Sequence, residues 1–263
     1  MSGRLCMQDL TLSLIQTTIA PDDPQRNLAG YEPWLERARG SDLVILPEVF
    51  TTGFSATARD HAEVVGGRAW QWLAHWASEL DAVVTGSLVV KDNDQHSNRL
   101  VWMRPDGSWV HYDKRHLFRM AGEHKRYAVG QERVLVELKG WRVLPMICYD
   151  LRFPVWSRNR GDYDLALYVA NWPAARSLHW QRLLQARAIE NLSYVAGVNR
   201  IGVDEKDQDY RGDSAIYGPA GEVLVNAEDS EGCFTTVLSA ERLAQYRESF
   251  PAHLDADAFE ILR

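Results

Sequence analysis

The chain predicts an α/β fold in which two β-sheets pack face to face and helices cover the outside. Two observations carry this reading. Strand-like and helix-like segments alternate from end to end of the 263 residues. The strand signals also outnumber the long helices by far, too many strands for one small open sheet, and two stacked sheets would bury their apolar faces. A single long mixed sheet satisfies the same alternation, and periodicity alone does not separate the two.

The elements follow in order. Leu10-Thr11-Leu12-Ser13-Leu14-Ile15 alternates like a half-buried strand over 10–17, and Leu28, Tyr31, Leu35 and Ala38 then recur at helical spacing after Pro24. A nearly continuous apolar strand covers 43–46, and Trp70, Leu73, Ala77 and Leu80 mark a second helix after Gly67. Strands 82–90 and 98–103 come next. Arg104-Pro105-Asp106-Gly107 then makes a hairpin-type turn into Trp109-Val110-His111-Tyr112-Asp113. Strands 134–138, 142–147 and 164–169 precede a third helix at 178–191. The remaining strands are 194–198, 214–217, 222–225 and 234–238, with Gly218-Pro219-Ala220-Gly221 turning between the middle two.

Composition removes several classes of function. With 29 Lys and Arg against 36 Asp and Glu, the formal net charge is −7, so no global basic field exists for a nucleic-acid backbone. No apolar run reaches the ~18 residues of a membrane span, and the leading segment lacks the pattern of a signal peptide. The three cysteines, Cys6, Cys148 and Cys233, form no C-x-x-C pair and cannot all pair internally. A reduced, cytoplasmic protein is the expectation.

Three polar residues fall where strands end. Glu48 follows Leu43-Val44-Ile45-Leu46-Pro47, Lys114 follows the strand ending at Asp113, and Cys148 ends the apolar run before Tyr149-Asp150-Leu151-Arg152-Phe153-Pro154. In parallel-type α/β architectures the carboxyl ends of strands share one rim, where ligands bind. A base, a cation and a thiol on that rim supply what acyl transfer through a thioester requires. The N–H groups of the turn after Cys148 lack partners within the turn and suit an oxyanion. A papain-like Cys–His pair, with His116 or His179 as base, is the chemical rival, but its signature around the cysteine is absent. Neither H-E-x-x-H nor clustered Cys/His spacing occurs, so no metal site is expected.

Leu46-Pro47-Glu48, Tyr112-Asp113-Lys114-Arg115-His116-Leu117 and Ile147-Cys148-Tyr149-Asp150-Leu151-Arg152-Phe153-Pro154 closely resemble the three signatures of the nitrilase, or carbon–nitrogen hydrolase, superfamily. Their order and spacing match, Thr52-Gly53-Phe54 and the segment 183–191 agree, and the resemblance covers essentially the whole chain. It implies one carbon–nitrogen hydrolase domain over 1–263, folded as a four-layer αββα sandwich and needing no cofactor. By motif, Glu48 is the general base, Lys114 the oxyanion stabiliser and Cys148 the nucleophile. Glu123, in Met120-Ala121-Gly122-Glu123, matches the second glutamate that many members carry near the triad. The backbone N–H of Tyr149 would complete the oxyanion site.

Tyr149-Asp150 after the cysteine, where true nitrilases commonly have Trp-Glu, resembles the Nit-type branch that includes ω-amidases. Asn171-Trp172-Pro173 and His179-Trp180 resemble bacterial members of that branch. The resemblance implies hydrolysis of the terminal amide of small α-keto acids such as 2-oxoglutaramate and 2-oxosuccinamate. The alternative is another carbon–nitrogen hydrolase: a deaminated-glutathione amidase, a carbamoylase or a nitrilase. Trp172 would form an aromatic wall. Arg176 is the candidate for the substrate carboxylate, with Arg119, Arg126 and Arg200 left open, and Arg152 is read as structural, paired with an acid. The expected partner is a small-molecule amide, with neither nucleic acid nor membrane. A homodimer through 154–160 and 178–191 is also expected. Cys148 should be the thiol most reactive toward haloacetamides and trivalent arsenicals, with Cys6 and Cys233 ordinary.

Overall fold

In the computed structural model, which describes residues 7–261, alternation along single strands sorts the core into layers. Strand β1 (Leu10–Gln16) turns Leu10, Leu12 and Leu14 to one side, and β2 (Leu43–Ile45) adds Leu43 and Ile45. These join one apolar cluster with Val143, Ile147, Leu165 and Leu167 of the opposite sheet. Ile15, Val44 and Leu46 take the other side, against Leu28 and Leu35 of α1 (Pro24–Arg37) and Leu73 and Ala77 of α2 (Arg68–Leu80). A period of two thus buries both faces of the same strands.

The first sheet has the order β14 (Gly232–Leu238), β1, β2, β3 (Val83–Asp92), β4 (Gln95–Met103), β5 (Trp109–Asp113). The second runs β13 (Val223–Asn226), β12 (Ala215–Tyr217), β9 (Tyr194–Asn199), β8 (Leu165–Ala170), β7 (Trp141–Ile147), β6 (Val136–Leu138). Helix α4 (Ser177–Asn191), which follows the short α3 (Pro154–Ser157), covers the second sheet so closely that a Cβ on Gly197 would stand 2.4 Å from Leu184 Cδ1. The result is a four-layer αββα sandwich.

Strand direction decides where the chemistry can sit. Strands β1, β2 and β3 are parallel to one another, as are β7, β8 and β9. Two antiparallel steps, β3 to β4 and β4 to β5, return β5 to the direction of β3. The carboxyl ends of β2, β5, β7 and β8 therefore deliver Glu48, Lys114, Cys148 and Asn171. The opposite rim is closed by α5 (Ala240–Ser249), whose Arg247 bonds Asp164 at 2.6 Å and the carbonyls of Tyr163 and Leu192.

The strands expected from sequence all form, with ends shifted by a few residues, and both hairpin turns close. Gly107 and Gly221 take the positive φ those turns require, +79° and +87°. Two elements were not anticipated. One is a separate hairpin of β10 (Ile201–Val203) and β11 (Asp209–Arg211), strands too short to show alternation. The other is α5, which is mostly exposed and buries only Ala240 and Leu243, leaving no apolar stripe to read.

Candidate active site

Glu48 lies just past β2, where the Leu46 N–H still donates to the Thr85 carbonyl at 2.7 Å and the Pro47 carbonyl accepts the Ser87 N–H at 3.4 Å, and the chain then turns sharply. Val49 takes φ +39°, held by the Ser87 hydroxyl, which accepts the Val49 N–H at 2.9 Å. Cys148, at the end of β7, has φ +44°. Left-handed backbone at a residue other than glycine costs about 1–3 kcal/mol and persists only when its surroundings enforce it. At Cys148 the enforcing group is Asp150, whose buried carboxylate accepts the Ile147 N–H at 3.0 Å. The same carboxylate accepts the Tyr112 hydroxyl (2.8 Å) and the His116 N–H (2.9 Å) and meets His116 Nδ1 at 2.8 Å. Asp150 thereby ties the thiol's turn to the residues on either side of Lys114.

Lys114 Nζ donates to Glu48 Oε1 at 2.7 Å and to Glu123 Oε1 at 3.0 Å. All three side chains are buried, with exposures of 1% for Lys114 and 0% for each glutamate. Glu48 Oε2 accepts the Asn171 N–H at 2.8 Å, and Glu123 Oε2 accepts the Phe118 N–H at 2.6 Å. Burial opposes the charge on Lys114, but Glu123 and Glu48 outweigh it and hold the ammonium well above the ordinary lysine range. Burial raises the Glu123 carboxyl against the pull of Lys114, and the like charge of Glu48 adds to the rise. Burial likewise pushes the Cys148 thiol well up, Glu48 adds to that, and Lys114 offsets only part.

These groups meet at a cavity of about 360 Å³. Glu48, Lys114 and the half-buried Cys148 line it, and so do Tyr149, Trp172 and Arg176. Glu123 does not reach the cavity wall and stands behind Lys114. Trp172 Nε1 donates to the Arg176 carbonyl at 2.8 Å, which fixes the indole. Of the other arginines left open, Arg126 lines the cavity whereas Arg119 is exposed outside it. Arg200 is buried behind the wall, donating to the carbonyls of Ile19, Ile201 and Val203 and lying 4.6 Å from the Tyr210 ring centroid.

The expectation that Arg152 pairs with an acid is corrected. Its guanidinium lies 4.8 Å from the Trp172 ring centroid and 3.0 Å from His179 Nδ1, and it lines the cavity. Neither histidine of the rival Cys–His reading lines the cavity, His116 being bonded to Asp150 and stacked on Phe153 at 3.8 Å. Cys233 is half-buried on β14, and Cys6 lies outside the described residues. Sequence reasoning missed Asn98, Phe118 and the β10–β11 hairpin, which adds Lys206, Asp207 and Tyr210 to the wall. An asparagine inside the strand 98–103 was the one available signal for the first.

Comparison with known proteins agrees with this geometry. The carbon–nitrogen hydrolase family model matches residues 11–248. An ω-amidase, YafV of Yersinia enterocolitica, is 50% identical over 97% of this chain and 100% of its own. A 2-oxoglutaramate amidase of Bacillus subtilis is 34% identical over 93% of this chain and 96% of its own. Among solved structures, XC1258 from Xanthomonas campestris, described as a CN-hydrolase superfamily protein with an arsenic adduct in its active site, superposes with a TM-score of 0.95. It is 50% identical, covering 97% of this chain and 100% of that one.

Proposed function

The chain belongs to the carbon–nitrogen hydrolase family, and from that premise we propose that it is an ω-amidase. It converts the terminal amide of small α-keto acids, such as 2-oxoglutaramate and 2-oxosuccinamate, into ammonia and the dicarboxylate. One observation carries the reading: a half-buried thiol shares a cavity with a carboxylate–ammonium pair 2.7 Å apart, in a chain half identical to an ω-amidase along its whole length.

Each step follows from the charges in place. The raised thiol is neutral at pH 7, so attack and deprotonation are coupled. Glu48 takes the Sγ proton as sulfur bonds to the amide carbon. The carbonyl oxygen receives the displaced electron pair and is held by Lys114 and the Tyr149 N–H. Collapse breaks the C–N bond, Glu48 gives its proton to nitrogen, and ammonia leaves a thioester. Glu48 then takes a proton from water as its oxygen adds to the thioester carbon. The C–S bond breaks, sulfur regains the proton, and the second carboxylate is released. Glu123 keeps Lys114 charged and in place throughout.

Arg176 receives the keto acid's carboxylate. Its guanidinium lies 5.7 Å from the Phe118 ring centroid on the cavity wall, and among the described residues it has no carboxylate partner. The active form is a cytoplasmic homodimer of single-domain chains, supported by the exposed apolar Val155, Leu178 and Ile189 on the segments next to the thiol's turn. No helix of the described residues is long and apolar enough to cross a membrane.

Ammonia release across a panel of keto-acid ω-amides, glutamine, deaminated glutathione, nitriles and carbamoyl compounds tests the proposal. The keto-acid amides should have the highest kcat/KM, and Arg176→Ala should raise their KM more than it lowers kcat. A panel led by a carbamoyl compound or a nitrile would overturn the substrate class. An unchanged KM in Arg176→Ala would move the carboxylate to another arginine.

A further inference from the structure

We propose that Asn98 is a positioning residue that holds Glu48 and Glu123 on a single ammonium and keeps Glu48 ionised as the base. The inference rests on Glu48 and Lys114 having the roles given above. Asn98 sits on β4, fully buried, opposite Val89 in the ladder. Its Nδ2 donates to Glu48 Oε1 at 2.8 Å and to Glu123 Oε1 at 3.3 Å. Those two oxygens are the same ones that accept from Lys114 Nζ. Its backbone carbonyl accepts the Lys114 N–H at 3.0 Å. One residue therefore touches all three charged members of the cluster.

The chemistry of the amide explains the choice. Two carboxylates share one ammonium, and without further donors their repulsion favours protonation of one of them. A neutral amide adds two N–H donors and no charge, which stabilises both anions without competing with Lys114 for them. Its orientation is forced, because a flipped amide would point Oδ1 at two carboxylates. That orientation leaves Oδ1 buried without a partner, a desolvation cost that an apolar residue would not carry. The orphaned oxygen is thus evidence that the N–H groups are what the position requires. The next residue repeats the arrangement on the other side of the strand: Arg99 clamps Asp113 through two bonds of 2.7 and 2.8 Å and so fixes the backbone that enters Lys114.

Two variants separate this role from simple packing. Asn98→Leu keeps the branched shape of the side chain and removes the donor; Asn98→Ser loses volume and retains a short hydroxyl donor. The readout is the acid limb of the pH profile, measured both as ammonia release from 2-oxoglutaramate and as alkylation of Cys148 by iodoacetamide. Asn98→Leu should move that limb upward by about one pH unit or more, and Asn98→Ser by less. A packing role predicts the reverse ranking in damage, with lower stability and an unmoved limb. If the alkylation limb of Asn98→Leu coincides with that of the unmodified chain, or if Asn98→Ser shifts it further, the proposal fails. The two measurements also distinguish the two readings. A limb that moves in alkylation while the unmodified chain releases no ammonia supports Asn98 and rejects the substrate assignment.

Discussion

Around Cys148 the surroundings act against ionisation, and that gives the site an alkaline signature. Burial raises the thiol, and Glu123 and Glu48 raise Lys114 against its own burial, so the folded chain retains both protons where the unfolded chain releases them. The stability linked to these protons is complete below the ordinary thiol value of about 8.5 and is lost as pH climbs toward the folded values. Thermal stability should therefore fall above pH ~9, and Cys148→Ala should delay the first part of that fall. Thiolate absorbance at pH 7 would contradict this. For turnover, Cys148→Ala should abolish ammonia release, and Lys114→Met should cost at least ~10²–10³ in kcat, as loss of one oxyanion donor does. Four charged or nucleophilic residues were legible because each stands in a motif near the end of a strand or in the loop after one. Asn98 was not, since a polar residue within a strand carries no local mark of what it faces. Arg152 was misassigned because the cation's partners, Trp172 and His179, are brought to it only by the second sheet and α4.

At the scale of elements, the chain at Gly130 packs its backbone directly on the strand end that carries Lys114. Gly130 N donates to the Lys114 carbonyl at 2.9 Å, and a Cβ on Gly130 would lie 1.9 Å from the Asp113 carbonyl oxygen. Backbone cannot yield as a flexible side chain would, so Gly130→Ala must displace the end of β5. We predict a loss of about 1–3 kcal/mol in stability and a fall in kcat that exceeds any change in KM, because the ammonium moves with the strand. Gly107→Ala is the control. Its turn has open space around the added methyl and strains only φ, so it should lower the melting temperature slightly and leave kcat alone. Equal kcat in the two variants would reject the coupling. The strong periodic elements were readable because burial on one or both faces imposes a spacing. The β10–β11 hairpin was not, because three-residue strands have too few positions to show one, although it supplies part of the cavity wall.

For the molecule as a whole, the layer that braces the thiol is also a layer that leaves apolar side chains exposed. Helix α4 buries Trp180, Leu184 and Ala188 against the second sheet, yet Leu178 and Ile189 on its outer side are 62% and 49% exposed, with Val155 of the preceding segment at 56%. Leu178 and Ile189 stand about three turns apart on that side, with Arg182 and Gln185 between them, and apolar side chains exposed there suit a second partner. The same helix reaches the nucleophile's turn, since Arg187 Nη2 donates to the Leu151 carbonyl at 2.7 Å and Asn191 accepts the Asn159 N–H at 2.9 Å. Covering α4 would therefore stiffen the turn that carries Cys148, linking association to catalysis. Light scattering at micromolar concentration should give twice the mass of one chain, and the double variant Leu178→Asp with Ile189→Asp should halve it. Neither side chain lines the cavity, so a fall in kcat in that variant would come through the turn, not through lost substrate contacts. If the unmodified chain is a strict monomer, the homodimer falls. If the separated variant keeps full kcat, the chains associate but their contact does not brace the site.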